Sequence, residues 1–578
     1  MVCLTVMWGI PFFLYILRVG NNCLILQLHI TDIMKRKILM MILCYVMASA
    51  WMCAQHIVTP LSENDVLPES QWRGKWIGID RLLSGEDMTN KTRVNARYLR
   101  TEFDLRDKAI KSAKVYIAAV GYYDLYVNGN RVGGDYELKP VQTDTRRSII
   151  YNVIDVTTEL QQKNKGCLGV ILGNGRAVPM RYAKHSKCPF FGFPKCRVEL
   201  LVTYADGKTQ RLSSSEKTWK ATAEGPIRSN NEYDGEVYDA LMEMGGWSEV
   251  GFDDSRWQQA ELAEVPIGAL YPQTAKNQRA TALSGPEMRI LRPGAAASCS
   301  AGNRGKTVVV DLGQNIAGWI SLRVRGEKGD TIRIKYAERL NADTTLYVDN
   351  LRDAETEDVY ICNGNENGTL WWHPTFVYHG GRYVRITGMK DVSLDDVKAY
   401  VVTDDMDETG TFVSSNNTLN QIYRNAWWGI KTNYHGFPTD CPQRNERQPW
   451  LGDRTMGSLG ESYLFDNNLM YTRWMRDICD SQRADGVFSD VAPAFWNYYN
   501  DDITWPACLP FTCDMLYKQY GNDEAIRNSY PYIKKWIDHV CTEYMSDGII
   551  NRDKYGDWCM PPEKPEMIHS EDPARKTD

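Results

Sequence analysis

The chain has 578 residues, 43% apolar and 24% charged, an ordinary globular composition with room for three or more domains. A net charge of −6 supplies no basic face and argues against nucleic acid as a partner. The 18 Trp and 32 Tyr, many of them beside Asn, Asp and Gly, suit a surface that handles sugars, although a large β-rich core would use aromatics as well.

In chain order, the first feature is an apolar leader over 1–33. Met34-Lys-Arg-Lys then opens a basic segment, followed by ILMMILCYVMASAWMCAQ with small residues at Ala48, Ser49 and Ala50. This is the pattern of a signal peptide over 34–54, cleaved between Ala50 and Gln55, and it makes 1–33 an expected upstream leader outside the protein proper. A membrane span in each apolar run is the competing reading, but both runs are short. Export to the periplasm or cell surface of a Gram-negative bacterium is expected, with membrane contact only through the signal segment. Eleven of the fifteen cysteines follow that segment without CxxC pairing, and the eight histidines show no ligand spacing, so neither a metal nor a cofactor is expected.

From 66 to 410 the chain reads as β. Alternating, β-branched and aromatic stretches at 113–134, 148–157, 167–175 and 197–204 predict a first sandwich over 66–265, with Asn128-Gly129 as a hairpin turn. A second block, at 306–326, 331–340 and 380–388, predicts another sandwich over 280–410, and Asp253 to Glu261 reads as a linker. His379-Gly-Gly is similar to an esterase oxyanion loop, but without a GxSxG elbow it reads as a β turn.

Near 412 the period changes to helical. Leu419, Ile422, Tyr423, Ala426, Trp427 and Ile430 follow one face, with Ser414 or Ser415 as the cap, and further helices are predicted over 455–479, 508–520 and 524–545. Between the first two lies TDCPQRNERQPWLGDR, residues 439–454. Pro442 and Pro449 forbid a continuous helix, so its side chains can converge. Glycoside hydrolysis needs one carboxylic acid to protonate the leaving oxygen and further carboxylates to bind hydroxyls. Glu446, close to Asp440 and Asp453, suits the acid role by like-charge repulsion, while Arg444 or Arg447 could instead pair with it and make the loop a structural salt bridge. Spacing alone leaves both readings open.

The string DCPQRNERQPWLGD resembles the signature of the α-L-rhamnosidases of glycoside hydrolase family 78. So do GYYDLYVNGNRVGG and GVILGNG in the first β region, and VVDLGQNIAGWISLRVRGEKGD, YAERL and HPTFVYHGGRYVRITG in the second. DGVFSDVAP at 485–493 and YGDW at 555–558 extend the likeness, which covers about 70 to 578. It implies N-terminal β-sandwich domains followed by an incomplete (α/α)6 barrel over 412–578, and hydrolysis of terminal α-L-rhamnose by an inverting mechanism. Glu446 would be the general acid. Asp440, Arg444 and Asp453 would hold rhamnose hydroxyls, Trp450, Trp496 and Trp505 would form walls, and Asp557 and Trp558 would complete the rim.

Asn445 stands where the family often has Asp, and Gln448-Pro449 where it has Leu-Gly, which touches substrate detail more than reaction class. No position corresponds to the family's catalytic base, so the chain is expected to be a fragment with little or no turnover of its own. Leu464, Phe465, Trp474 and Ile478 are expected to lack part of their partners. A noncatalytic carbohydrate-binding protein and an (α/α)6 glycosidase of other sugar specificity are the alternatives.

Overall fold

The computed structural model describes residues 66–89, 91–134, 136–180, 188–291 and 307–555, together with three N-terminal strands. Those strands, Cys3–Val6, Phe13–Val19 and Asn22–Leu28, form an antiparallel sheet within a separate unit, Met1–Thr59. The signal segment over 34–54 lies outside the described residues.

The first sandwich packs two sheets face to face, antiparallel except where the edge strand Ala269–Pro272 runs parallel to Ser148–Asp155. One carries Arg97–Asp104, Lys165–Gly173 and Tyr122–Val127 at its centre, the other Lys195–Tyr204, Ile110–Val120 and Ser148–Asp155. Alternation does the sorting: Val115, Ile117 and Ala119 from one sheet meet Leu99, Leu125 and Val170 from the other in a single core. The predicted hairpin is present, with Asn128 (φ 50) and Gly129 (φ 86) both left-handed between Tyr122–Val127 and Asn130–Val132, as a primed turn requires. The segment read as a linker supplies an edge strand to each sheet, Gln258–Gln259 and Glu261–Leu262, with Trp257 buried between domains.

A ten-stranded sheet among the described residues forms the second β region, built around the long strand Val308–Arg325, which pairs with His379–Thr387 and Val397–Asp404. Ile227–Asn231 and Gly235–Asp239 belong to this sheet, the latter parallel to Glu357–Ile361, so the chain crosses between the sandwiches earlier than the spacing of turns suggests. His379-Gly-Gly is not a β turn. His379 opens a strand, fully buried, stacked on Tyr336 with ring centroids 4.4 Å apart and 2.9 Å from Asp358 through Nε2.

Helices follow. Asn417–Lys431 is capped by Asn416, whose side chain accepts from the N–H groups of Thr418 and Leu419, and not by Ser414 or Ser415. The predicted 455–479 helix is broken into Gly452–Thr455, Ser458–Ser462 and Asn468–Asp480. Cys508–Tyr520, ended by left-handed Gly521, and Glu524–Glu543 complete the array. Leu464, Phe465, Trp474 and Ile478 are all buried, against the expectation, because Leu509, Leu516, Trp536 and Val540 close over them. Apolar exposure falls elsewhere, at Leu419, Ile422, Met456 and Phe511. Among the described residues no helix is long and apolar enough to cross a membrane.

Candidate active site

The 439–454 loop is folded by its own polar groups before it meets any ligand. The Asp440 N–H donates to the Gln448 carbonyl (2.9 Å) and the Gln448 N–H returns to Asp440 Oδ1 (2.6 Å), which draws residues 441–447 into a closed bend. Arg447, fully buried and left-handed at φ 52, fills that bend. Its guanidinium donates to the carbonyls of Tyr378 (2.8 Å), Arg444 (3.2 Å) and Gln443 (3.3 Å), and its own carbonyl accepts from Arg176 of the first sandwich (2.8 Å). The loop sits on strand His379–Thr387 at Gly380, where a Cβ would lie 2.7 Å from Gln443 Cβ and 2.9 Å from its Cα. Gly380 is glycine because the loop occupies the space a side chain would need.

Glu446 projects from this support with 12% of its side chain exposed. Its backbone carbonyl accepts from the Tyr233 hydroxyl and from Gln448 Nε2, both at 2.7 Å. One carboxylate oxygen, Oε1, accepts from the Trp450 indole (3.1 Å). The other, Oε2, faces two guanidinium groups: Arg444 Nε at 2.9 Å and Arg352 Nη1 at 2.8 Å. The ambiguity left by the sequence is thus divided. Arg444 pairs with Glu446, Arg447 holds backbone, and Arg352, over ninety residues earlier in the chain, joins them.

Like-charge repulsion appears on the neighbours of Glu446. Burial pushes the Asp440 carboxyl up to about 6, with the charge of Glu446 the next cause. Asp453, in the short Gly452–Thr455 helix, is exposed, yet enough protein crowds its carboxyl to raise it, with Arg454 opposing and Glu446 adding to the rise. Asp440, Cys441 and Glu446 offer ligand atoms within 4.8 Å of one another, the donor set nearest to a metal site among the described residues. It fits a cation poorly: burial pushes the Cys441 thiol up to about 12, and two guanidinium groups already hold Glu446 Oε2.

Aromatic rings wall the carboxylate. Trp450 meets Trp496 edge to face (6.0 Å, 82°) and lies 5.8 Å from Tyr498, and Trp496 and Tyr498 meet at 5.7 Å. A bridge from Trp450 to Val491 and a bond from the Leu451 N–H to the Asp490 carbonyl (3.0 Å) fix this wall against the 485–493 segment. Trp505 stands farther round. It packs on the Gly452 backbone, one residue before Asp453, and against Tyr555 at 4.3 Å. Asp440, Arg444, Glu446, Trp450 and Trp496 are therefore brought together, Asp453 and Trp505 flank them, and Asp557 and Trp558 lie outside the described residues. Sequence reasoning missed Arg352, Tyr233 and Tyr498. Only Tyr498, in the aromatic run after Trp496, left a local signal.

A cleft of about 470 Å³ lies elsewhere, between the two β regions, lined by Tyr126, Trp247, Trp371 and Arg131 among others. On its wall Arg131 binds both Asp124 and Glu137.

The model of the bacterial α-L-rhamnosidase six-hairpin glycosidase domain matches residues 407–578, that of the α-L-rhamnosidase N-terminal domain 108–282, and that of the bacterial α-L-rhamnosidase concanavalin-like domain 302–403. The chain belongs to the bacterial α-L-rhamnosidase family. Within the family it is 34% identical over 471 residues to an α-L-rhamnosidase of Streptomyces avermitilis, covering 80% of this chain and 43% of that protein. The solved α-L-rhamnosidase from Dictyoglumus thermophilum superposes with a TM-score of 0.76 at 37% identity, over 86% of this chain and 54% of that one. The Streptomyces avermitilis enzyme solved in complex with L-rhamnose gives 0.71 at 32%, over 81% and 44%. The chain spans about half the length of the relatives it matches. The three matched segments correspond to the two β regions and the helical array, so the architecture is that of the family: β-sandwich domains followed by the first part of a six-hairpin helical domain.

Proposed function

We propose that this chain carries the rhamnose-binding side of an α-L-rhamnosidase active site and that Glu446 is its general acid, in a hydrolysis that removes terminal α-L-rhamnose from rhamnosides with inversion. The observation that carries the reading is the setting of Glu446: a nearly buried carboxylate with an indole N–H on one oxygen and two guanidinium groups on the other, beside a second carboxyl. A group so held has a fixed direction, which proton delivery to a glycosidic oxygen requires. Family membership and the complex of a related enzyme with L-rhamnose support the choice of sugar.

On this reading Asp440, whose carboxyl burial raises to about 6, and Asp453 accept hydrogen bonds from sugar hydroxyls, while Trp450 offers a flat face to the pyranose. Asp440 is not the base that activates water. Its carboxylate comes within 4.8 Å of Glu446, whereas inverting pairs stand roughly 6.5–9.5 Å apart to admit a water molecule. Calorimetric titration with L-rhamnose and a panel of other pyranoses, alongside rhamnose release from an aryl rhamnoside, tests the proposal. Saturable binding of rhamnose in preference to the panel, weakened in Asp440→Asn and Trp450→Ala, is expected. Equal or better binding of a different pyranose would move the assignment to another sugar.

A further inference from the structure

The helix Asn417–Lys431 has two faces of opposite character. Leu419, Ile422, Tyr423, Ala426, Trp427 and Ile430 form one, while Gln421, Arg424, Asn425 and Trp428, at i, i+3, i+4 and i+7, form the other. This second, mostly polar stripe faces the second β region across a cavity of about 400 Å³, whose far wall is Gln314 and Asn315. Both stand on a bulge. The pairing of Val308–Arg325 with His379–Thr387 breaks between Asp311 and Ile316, which lifts these two side chains off the ladder. Among the described residues no hydrogen bond joins the two walls.

The walls use only part of their bonding capacity. Gln421 Nε2 donates to Asn425 Oδ1 (2.7 Å), Gln314 Nε2 to the Asn315 carbonyl (2.8 Å) and Asn315 Nδ2 to Glu338 (2.9 Å). The side-chain oxygens of Gln314, Asn315 and Gln421 therefore remain as acceptors, and the Asn425 amide nitrogen as a donor. Arg424, the one charged residue lining the cavity, has no ion pair or hydrogen bond among the described residues. Trp428 packs on the core of the second β region and meets Trp427 edge to face (4.9 Å, 84°), so its ring is held in place. Gly429 lies on the same wall, inside a helix, where glycine is less favourable than alanine. No atom stands within 4 Å of where its Cβ would be, so packing within the chain does not require the glycine, whereas an open cavity does.

We propose that this cavity binds an acidic sugar, a pyranose carrying a carboxylate, at a site that shares no residue with the Glu446 loop. Arg424 supplies the planar fork that a carboxylate fits. The free amide oxygens select a sugar over a bare anion: phosphate or sulfate oxygens would meet them acceptor against acceptor, whereas sugar hydroxyls donate to them. Trp428 gives the pyranose an apolar surface. Such a site keeps the chain on an acidic polysaccharide while the acid loop meets a chain end, and it stands whether or not Glu446 is the general acid.

The test titrates the full chain calorimetrically with digalacturonate, with the neutral galactose disaccharide of the same linkage, and with sodium acetate and sodium sulfate. Digalacturonate is expected to bind about tenfold or more tighter than the neutral disaccharide, and Arg424→Ala should weaken it about 10- to 100-fold by loss of a charged hydrogen bond. Gly429→Leu should weaken it by a similar factor by filling the cavity, and because leucine is the better helix former this variant keeps the helix intact. Digalacturonate affinity should survive Trp450→Ala, which removes a ring of the acid-loop site. Absence of binding, or binding that Trp450→Ala abolishes and Arg424→Ala leaves in place, overturns the proposal. Equal affinity for the neutral disaccharide overturns the choice of an acidic sugar, and acetate or sulfate binding as tightly as digalacturonate overturns the choice of a sugar.

Discussion

Arg444 and Arg447 stand three residues apart on one loop and should fail in opposite ways when removed. Arg447→Leu deletes a fully buried guanidinium and leaves the carbonyls of Tyr378 and Gln443 without that donor, while the Arg444 carbonyl keeps the N–H of Glu446 (2.9 Å). Each of the two orphaned buried acceptors costs about 1–3 kcal/mol, part of which is offset because a buried charge no longer has to be desolvated, so a net loss of about 1–4 kcal/mol is expected. Because the chain is multidomain, a single unfolding free energy is the wrong observable. Native-state hydrogen exchange of the loop is the right one. The amides of Asp440, Gln448 and Leu451, all bonded within or beside the loop, should exchange roughly one to three orders of magnitude faster in Arg447→Leu. Arg444→Ala removes a half-exposed ion pair, worth at most about 1 kcal/mol, and should change exchange by no more than about fivefold. Its effect should appear instead in rhamnose affinity, lowered about 10- to 100-fold by loss of a charged hydrogen bond. Protected loop amides in Arg447→Leu, or full rhamnose affinity in Arg444→Ala, would refute the division of labour.

Further expectations follow from particular contacts. Gly380→Ala should push Gln443 away by several tenths of an ångström, destabilise the loop by about 1–3 kcal/mol and weaken rhamnose binding, as read by loop hydrogen exchange and calorimetry. The buried Asp502 carboxyl is pushed up to about 8 by burial and by a hydrogen bond with Asp553. Asp553, despite partial burial, is held down at about 2 by that bond and by bonds from Thr504, Ile503 and Lys554. A raised folded pKa means that the stability from Asp502 is fully present below about 4 and lost as pH rises through about 8. Protease cleavage near Tyr555, whose N–H binds Asp502 (3.2 Å), should therefore increase between pH 6 and 9, and Asp502→Asn should flatten that dependence. If the signal segment acts as its pattern implies, intact mass of the secreted protein will place the first residue between Ala50 and Gln55.

Local periodicity carried much of the architecture. Strands with alternating apolar residues, such as Ile110–Val120, and the Asn128-Gly129 turn are determined by neighbours in sequence, and so is the bend between Pro442 and Pro449. What escaped was long-range. Arg352 and Tyr233 reach Glu446 across 94 and 213 residues from segments without a motif of their own. His379-Gly-Gly reads locally as a turn, but Gly380 answers to Gln443, a residue of another domain, and Gly381 to Ala337 and Tyr336 of the neighbouring strand, and neither to local bending. The helix cap was misplaced by one or two residues because Ser and Asn are nearly equivalent caps, and the choice of Asn416 is made by where the backbone turns. The buried state of Leu464 and Trp474 depends on helices that contribute their partners from 508 onward, a pairing that spacing alone does not reveal.

The most direct test of the central claim is a crystal structure of the chain soaked with L-rhamnose. The account predicts the sugar on the Trp450 face, its anomeric oxygen about 3 Å from the Glu446 carboxyl and its ring hydroxyls on Asp440 and Asp453. Rhamnose seated instead in the cleft lined by Trp247 and Trp371, with the 439–454 loop empty, would contradict it.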